Sequence, residues 1–277
     1  MVEEFEVPPE IADHARRFAA EGRSPAVPRL AATVLLLRPT APAGTTAGGF
    51  DVYLIRRVAA MAFGGMYAFP GGGVDPGDSQ ADLGIDPAAL AQRLETDPER
   101  AQAIVCAAAR EVFEEAGVLL AGPTADTVVG DVSGDDWEAA RRALVARDLG
   151  FADLLRQRDL TLRADLLAPW SRWITPEFEP RRFDTYFFVA ALPGGQVTRD
   201  VSGEADHTMW IRPAEAVARA ERREVAMLPP TVMTLKQVGA CPDIASVFAA
   251  AADREPATPM TPTLDLTGDR GPRFTYR

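Results

Sequence analysis

The run from Ala31 to Leu37 is short and continuously apolar, as in a strand buried on both faces, and Asp51 to Arg56 alternates as a second strand. Further strands are expected at Val118 to Leu120, Ser171 to Ile174, Phe183 to Ala191 and Thr208 to Ile211. Elsewhere the pattern is helical. A short helix fits residues 9–21, a second runs from Asp86 and Pro87 through Leu94, and a long one spans Pro98 to about Ala116. Two more are read over Asp135 to Arg147 and Phe151 to Arg158, and one from Pro213 to about Arg222. The long helix carries its own punctuation: Asp97 as N-cap, Pro98 at the first helical position, Glu99 in the first turn and Gly117 as the stop. Strands flanked by helices imply an α/β/α sandwich. Arg38 to Gly49 reads as a surface connection, and the Pro- and Thr-rich stretch of about 256–277 as a flexible or draped tail.

The long helix ends on an unusual charge pattern. Glu111, Glu114 and Glu115 are related as i, i+3 and i+4, so they are neighbours that repel, at roughly 0.2–0.5 kcal/mol per like-charged pair. They also occupy the last turn, where the helix dipole disfavours each carboxylate by about 0.3–1 kcal/mol. A bound divalent cation would reverse both penalties. Taken alone, the cluster has a second reading, a solvated acidic face with Arg110 paired to Glu114. Upstream, Gly71, Gly72 and Gly73 lie in a loop whose bare backbone can approach an anion or lend a carbonyl to a metal.

Together these segments resemble the Nudix hydrolase signature GX5EX7REUXEEXGU, with U aliphatic. Gly72 opens it, and Arg110 through Val118 supply its second half at every fixed position. Two departures stand out. Asp78 replaces the usual Glu, and residues 79–109 place thirty-one positions where seven are expected. An insertion at this point resembles the acyl-coenzyme A diphosphatase branch of the family. So do three stretches: Arg57 to Gly73; Trp173 to Pro176 followed by Arg181 to Phe188; and Leu228 to Thr231. The resemblance covers roughly residues 30–235. It implies a single Nudix-type α/β/α sandwich with a mixed β-sheet over 1–277, a helical insertion at about 79–97 and a helical lobe at about 135–158.

The chemistry implied by the resemblance is hydrolysis of a diphosphate joined to another moiety. Mg2+ or Mn2+ would be held by Glu111, Glu114, Glu115 and the Gly71 carbonyl, with Arg110 orienting the glutamates. The proton acceptor is sought in the loop before the Thr208 strand, at Glu204, with Glu177 and Glu179 as competitors. Arg57, Arg181 and Arg182 are candidates for phosphate, with Arg56 beside them. Phe63, flanked by Met61 and Met66, is a candidate for the organic arm. Arginines at strand ends also snorkel, and Met or Phe also packs. The substrate could be (acyl-)coenzyme A, or NADH, ADP-ribose or a nucleotide sugar; a Nudix-fold nucleotide-binding regulator is the non-catalytic alternative.

Composition narrows the partners. A formal charge of −11 over 277 residues offers no basic stripe for nucleic acid. Cys106 and Cys241 are the two cysteines, so neither a disulfide framework nor a zinc site is implied. His14 and His207 are read as surface or packing residues. Without a targeting leader or an apolar run long enough to span a bilayer, a cytoplasmic location is expected, and the resemblance admits a homodimer.

Overall fold

The computed structural model describes residues 3–40, 49–58, 64–199, 203, 205–267 and 271–276. The chain begins with β1 (Glu3–Glu6), α1 (Pro9–Ala20), β2 (Arg29–Pro39), β3 (Phe50–Arg57), β4 (Tyr67–Ala68) and β5 (Gly71–Gly73). It continues through α2 (Pro87–Leu94), α3 (Pro98–Ala116), β6 (Ala121–Gly122), α4 (Asp135–Val145), α5 (Phe151–Gln157) and β7 (Thr161–Leu162). Then follow β8 (Ala168–Ile174), β9 (Phe183–Ala191), β10 (Ala205–Ile211), α6 (Pro213–Glu221), α7 (Pro229–Gly239) and α8 (Ile244–Ala252). The last elements are β11 (Pro259–Met260), β12 (Thr263–Asp265) and β13 (Arg273–Tyr276).

The main sheet has the order β10-β3-β2-β9-β8-β11, with β4 added to β3 and β5 to β2. It is mixed: β2 runs parallel to β9, whereas β3 and β5 are antiparallel to β2. β2 is central, and its alternate residues feed two cores. Val34 and Leu36 join Leu90, Ile104 and Phe113 on the α2/α3 side, while Leu35 and Leu37 join Ala12, Ala216, Leu235 and Val247 on the α1/α6/α7/α8 side. This period-two division of a continuously apolar strand makes the molecule an α/β/α sandwich. No helix among the described residues is long and apolar enough to cross a membrane.

The sequence before α3 folds back onto it. α2 buries Leu90, Ala91 and Leu94 against α3, and Asp97 accepts from the Arg100 backbone N–H at 2.8 Å, capping α3. The α4–α5 lobe contributes Leu144, Phe151, Leu154 and Leu155 to the same core.

Two expectations are corrected. Val118 to Leu120 is not a strand: the Gln196 amide brackets Leu119, accepting from its N–H at 2.8 Å and donating to its carbonyl at 2.9 Å, so a side chain replaces the strand partner. Nor are the described residues of the tail, 256–267 and 271–276, without regular structure. β11 extends the main sheet beside β8, and β13 pairs with both β1 and β12. Burial of Phe274 and Tyr276 provides the apolar anchor that the segment's Pro- and Thr-rich composition conceals.

Candidate active site

α3 ends where Gly117 adopts φ 65°, and the Gly117 N–H closes the last turn on the Phe113 carbonyl at 3.0 Å. One turn earlier, Arg110 is only 6% exposed and lies within an acidic ring. Its Nε and Nη2 donate to the two oxygens of Asp78, each at 3.1 Å, and Nη2 also reaches the Gly73 carbonyl at 2.8 Å. Its Nη1 donates to Glu111 Oε1 at 2.8 Å and to Glu114 Oε1 at 3.2 Å. Burial alone would lower the guanidinium pKa, but Glu111, Asp78 and Glu114 outweigh it and hold that pKa above its ordinary value. Asp78, 2% exposed, is therefore a partner of Arg110, also bonded by the Asp75 N–H at 2.8 Å.

The helix end is further compensated from the lobe. Arg141 donates to the Glu114 carbonyl at 3.0 Å, and the Arg199 N–H donates to the Ala116 carbonyl at 3.0 Å. Both guanidinium groups also pair with Glu138. Cations at a helix C-terminus oppose the dipole, so part of the penalty carried by the three glutamates is relieved within the protein.

β5 lies directly on these carboxylates. The Val34 N–H bonds to the Pro70 carbonyl, and the Val74 N–H to the Leu30 carbonyl, so every second residue of this stretch faces β2. Antiparallel alternation then turns the backbone groups of Gly71 and Gly73 away from β2. Accordingly, the Gly71 N–H donates to Glu115 Oε2 at 2.7 Å, and the Gly73 carbonyl accepts from Arg110. The glycines are sterically required. A Cβ at Gly72 would lie 2.4 Å from Glu111 Oε1, and one at Gly71 would lie 2.5 Å from the Ala32 carbonyl oxygen.

Among the described residues, no three His, Cys, Asp or Glu side chains form a ready-made metal cage. Arg110 draws Glu111 and Glu114 together, while β5 holds Glu115. The donor set nevertheless fits a hard divalent cation: it consists of carboxylate oxygens and an adjacent backbone carbonyl, gathered on one helix end against a side-chain-free strand.

On the outer side of β5 opens a cavity of about 320 Å³. Its walls include Arg57 at the end of β3, Phe69, Gly71 and Gly72 from the glycine segment, Trp173 in β8, and Thr175 and Pro176 just after β8. Phe183, Thr185 and Phe187 on β9 and Leu228 to Thr231 at the start of α7 complete that part of the lining. Three sequence stretches far apart in the chain thus meet around one space, beside the strand that touches Glu111 and Glu115. Met66 also lines it.

Arg181 is exposed and Arg182 is engaged with backbone, its Nε donating to the Thr175 carbonyl at 3.0 Å and its Nη1 to the Ala26 carbonyl at 2.8 Å; neither lines the cavity. Arg56 pairs with Asp206 at 2.6 Å. Phe63, Met61 and Glu204 fall outside the described residues. Glu177 is exposed, whereas Glu179 lines the cavity, its pKa raised by burial and partly restrained by His14. His14 Nε2 bonds the Phe178 carbonyl oxygen at 2.8 Å, and His207 Nδ1 lies 3.2 Å from the Tyr67 hydroxyl. Burial, aided by Asp78, pushes the Cys106 thiol pKa well up, consistent with packing. Ile11, Pro262, Phe274 and Tyr276 also line the cavity. Sequence reading missed them; the Phe274-Thr275-Tyr276 alternation is the signal that was available.

Comparison with known proteins agrees with this geometry. A family model described as the NUDT19 Nudix domain matches residues 85–238. The human acyl-coenzyme A diphosphatase NUDT19 is 29% identical over 231 residues, covering 69% of this chain and 61% of that protein. Its Xenopus laevis counterpart is 27% identical over 146 residues, covering 48% of this chain and 38% of the relative. The chain thus spans 38% to 61% of these two curated relatives' own lengths. The crystal structure of a NUDIX hydrolase from Alicyclobacillus acidocaldarius superposes with a TM-score of 0.66 at 25% identity, covering 84% of this chain and 99% of that one. With its Arg110 to Val118 motif, its sandwich fold and a family match over more than half its length, the chain belongs to the Nudix hydrolases, in the branch described by the NUDT19 Nudix domain.

Proposed function

We propose that this protein is a divalent-metal-dependent hydrolase of the diphosphate linkage in nucleoside diphosphate conjugates, acting on (acyl-)coenzyme A to yield 3′,5′-ADP and (acyl-)phosphopantetheine. The observation that carries this reading is the contiguity of β5 with both the acidic helix end and the cavity: one strand separates a polyanionic metal-type site from an apolar space. The names of the human and Xenopus relatives support coenzyme A conjugates as the substrate class.

Glu111, Glu114, Glu115 and the Gly71 carbonyl would hold Mg2+ or Mn2+. When bound, such an ion screens phosphate charge and lowers the pKa of an attacking water. Arg110 keeps the glutamates oriented through charge-assisted bonds and does not itself meet substrate. Arg57 serves the phosphates from the cavity wall. Glu204 is assigned as proton acceptor for the water; its chain neighbour Ala205 is in register with Arg57 across the β3–β10 pair.

The test is Mg2+-dependent turnover of coenzyme A, acetyl-coenzyme A, NADH, ADP-ribose and nucleotide sugars, with products identified by mass and Glu114→Gln as control. Release of 3′,5′-ADP by the wild type and not by the variant is the expected result. Cleavage of another conjugate alone would overturn the coenzyme A assignment, and nucleotide binding without any turnover would overturn hydrolysis.

A further inference from the structure

The cavity has a wall that the family match does not include. β13 lies beyond residue 238 and is held between β1 and β12, with Phe5 opposite Phe274 and Glu3 opposite Tyr276. From the glycine segment a row of rings leads toward it. Phe69 meets Phe187 at 6.3 Å between centroids, Trp173 meets Phe187 at 6.1 Å, and Trp173 meets Tyr276 edge-on at 5.4 Å. Phe69 adjoins Pro70 and Gly71, so the row starts beside the carboxylates and ends at Tyr276.

Tyr276 is only 4% exposed, lines the cavity, and its hydroxyl meets no hydrogen-bond partner among the described residues. The hydroxyl opens on the cavity, where a tyrosine O–H with no partner among the described residues is available to a ligand. Burial also raises its pKa, so the group remains a neutral donor. The rest of this wall, Phe274, Ile11 and Pro262, is apolar. A single cavity-facing donor on such a surface suits an uncharged chain carrying an acceptor such as an amide carbonyl.

Resting on the hydrolase reading above, we propose that β13 forms the far wall of the substrate site and that the Tyr276 hydroxyl is a specificity contact for the uncharged, amide-bearing arm of the conjugate. The diphosphate then lies at the Gly71–Gly72 end, and the arm follows the aromatic row outward.

Tyr276→Phe in the full-length chain removes the hydroxyl and keeps the ring contacts with Trp173 and Phe5. The expected result with Mg2+ is about a five-fold rise in KM for coenzyme A, with kcat within two-fold, as for loss of one neutral hydrogen bond. Inhibition by 3′,5′-ADP, which lacks the arm, should be unaltered, and so should the melting temperature. A general structural defect would move all of these together. Binding of coenzyme A to both proteins is followed in parallel by tryptophan fluorescence. Unchanged KM and affinity in the variant would overturn the Tyr276 contact while hydrolysis stands. Binding weakened by the variant, without turnover by the wild type, would overturn hydrolysis and retain the contact. Absence of coenzyme A binding by the wild type would overturn both.

Discussion

Replacing Arg110 with Met tests whether the box arginine is an electrostatic keystone or one helix salt bridge among many. Met retains much of the apolar stem and removes the donors that serve Asp78, Gly73, Glu111 and Glu114. Asp78 would keep only its neutral partners, the Asp75 N–H and the more distant Cys106 thiol at 3.6 Å, while almost wholly buried. Removing one partner from a buried pair costs about 3–5 kcal/mol, against a total stability on the order of 5–15 kcal/mol. At roughly 2–4 °C per kcal/mol for a domain of this size, the melting temperature should fall by about 6–20 °C. Urea unfolding at neutral pH measures the loss. Adding Asp78→Asn to Arg110→Met should recover part of it, with a coupling of about 1–3 kcal/mol. An Arg110→Met protein within about 1 kcal/mol of the wild type, or strict additivity of the two changes, would refute the keystone role.

Three further outcomes are expected. Gly72→Ala should displace the Glu111 carboxylate and lower kcat on the order of 10²-fold with little change in melting, because the clash is with a side-chain end; Gly71→Ala meets β2 backbone and should instead destabilise by about 1–3 kcal/mol in urea. Thr234 in α7 is fully buried with its hydroxyl unsatisfied, so Thr234→Val should raise stability by about 1 kcal/mol; a lower urea midpoint would contradict this. Glu179 has a raised pKa in the fold, so its penalty is absent below the ordinary carboxylate pKa and grows as pH rises through the raised value. Glu179→Gln should therefore raise the urea midpoint near pH 8 and leave it unchanged near pH 4, whereas equal shifts at both would exclude burial of the charge as the cause.

The elements most legible in the sequence carry their own local signals. α3 is bounded by Asp97-Pro98 and Gly117, and both ends form the bonds those residues imply. β2 announces itself by an apolar run, and its depth in the sheet follows. Illegible features depend on partners remote in sequence. Nothing within Val118 to Leu120 reveals that Gln196 occupies the pairing position. Likewise, the charge of Arg182 does not disclose that its guanidinium meets the Ala26 carbonyl, 156 residues away. β11 and β12 are too brief to display a period, and β13, whose local signal is the Phe274-Thr275-Tyr276 alternation, gains its order from β1.

The insertion also explains how an interrupted signature retains its geometry. The inserted residues, at about 79–97, end just before α3, so the 19-residue box helix begins where the insertion returns the chain. Ten residues separate Arg100 from Arg110, about 15 Å of helix. At the near end, Arg100 reaches Asp184 at 3.3 Å, and Asp184 is gripped by Arg172 through two bonds of 2.7 Å. At the far end, Arg110, Arg141 and Arg199 hold the acidic turn. Asp184 lies between Phe183 and Thr185 on β9, both of which face the cavity. Strand alternation therefore assigns opposite tasks to adjacent residues of one motif: Asp184 fixes the helix that carries the carboxylates, while its neighbours shape the cavity wall. The helix and wall are thereby referenced to the same strand, and the insertion, packed against α3 through α2, does not separate the site.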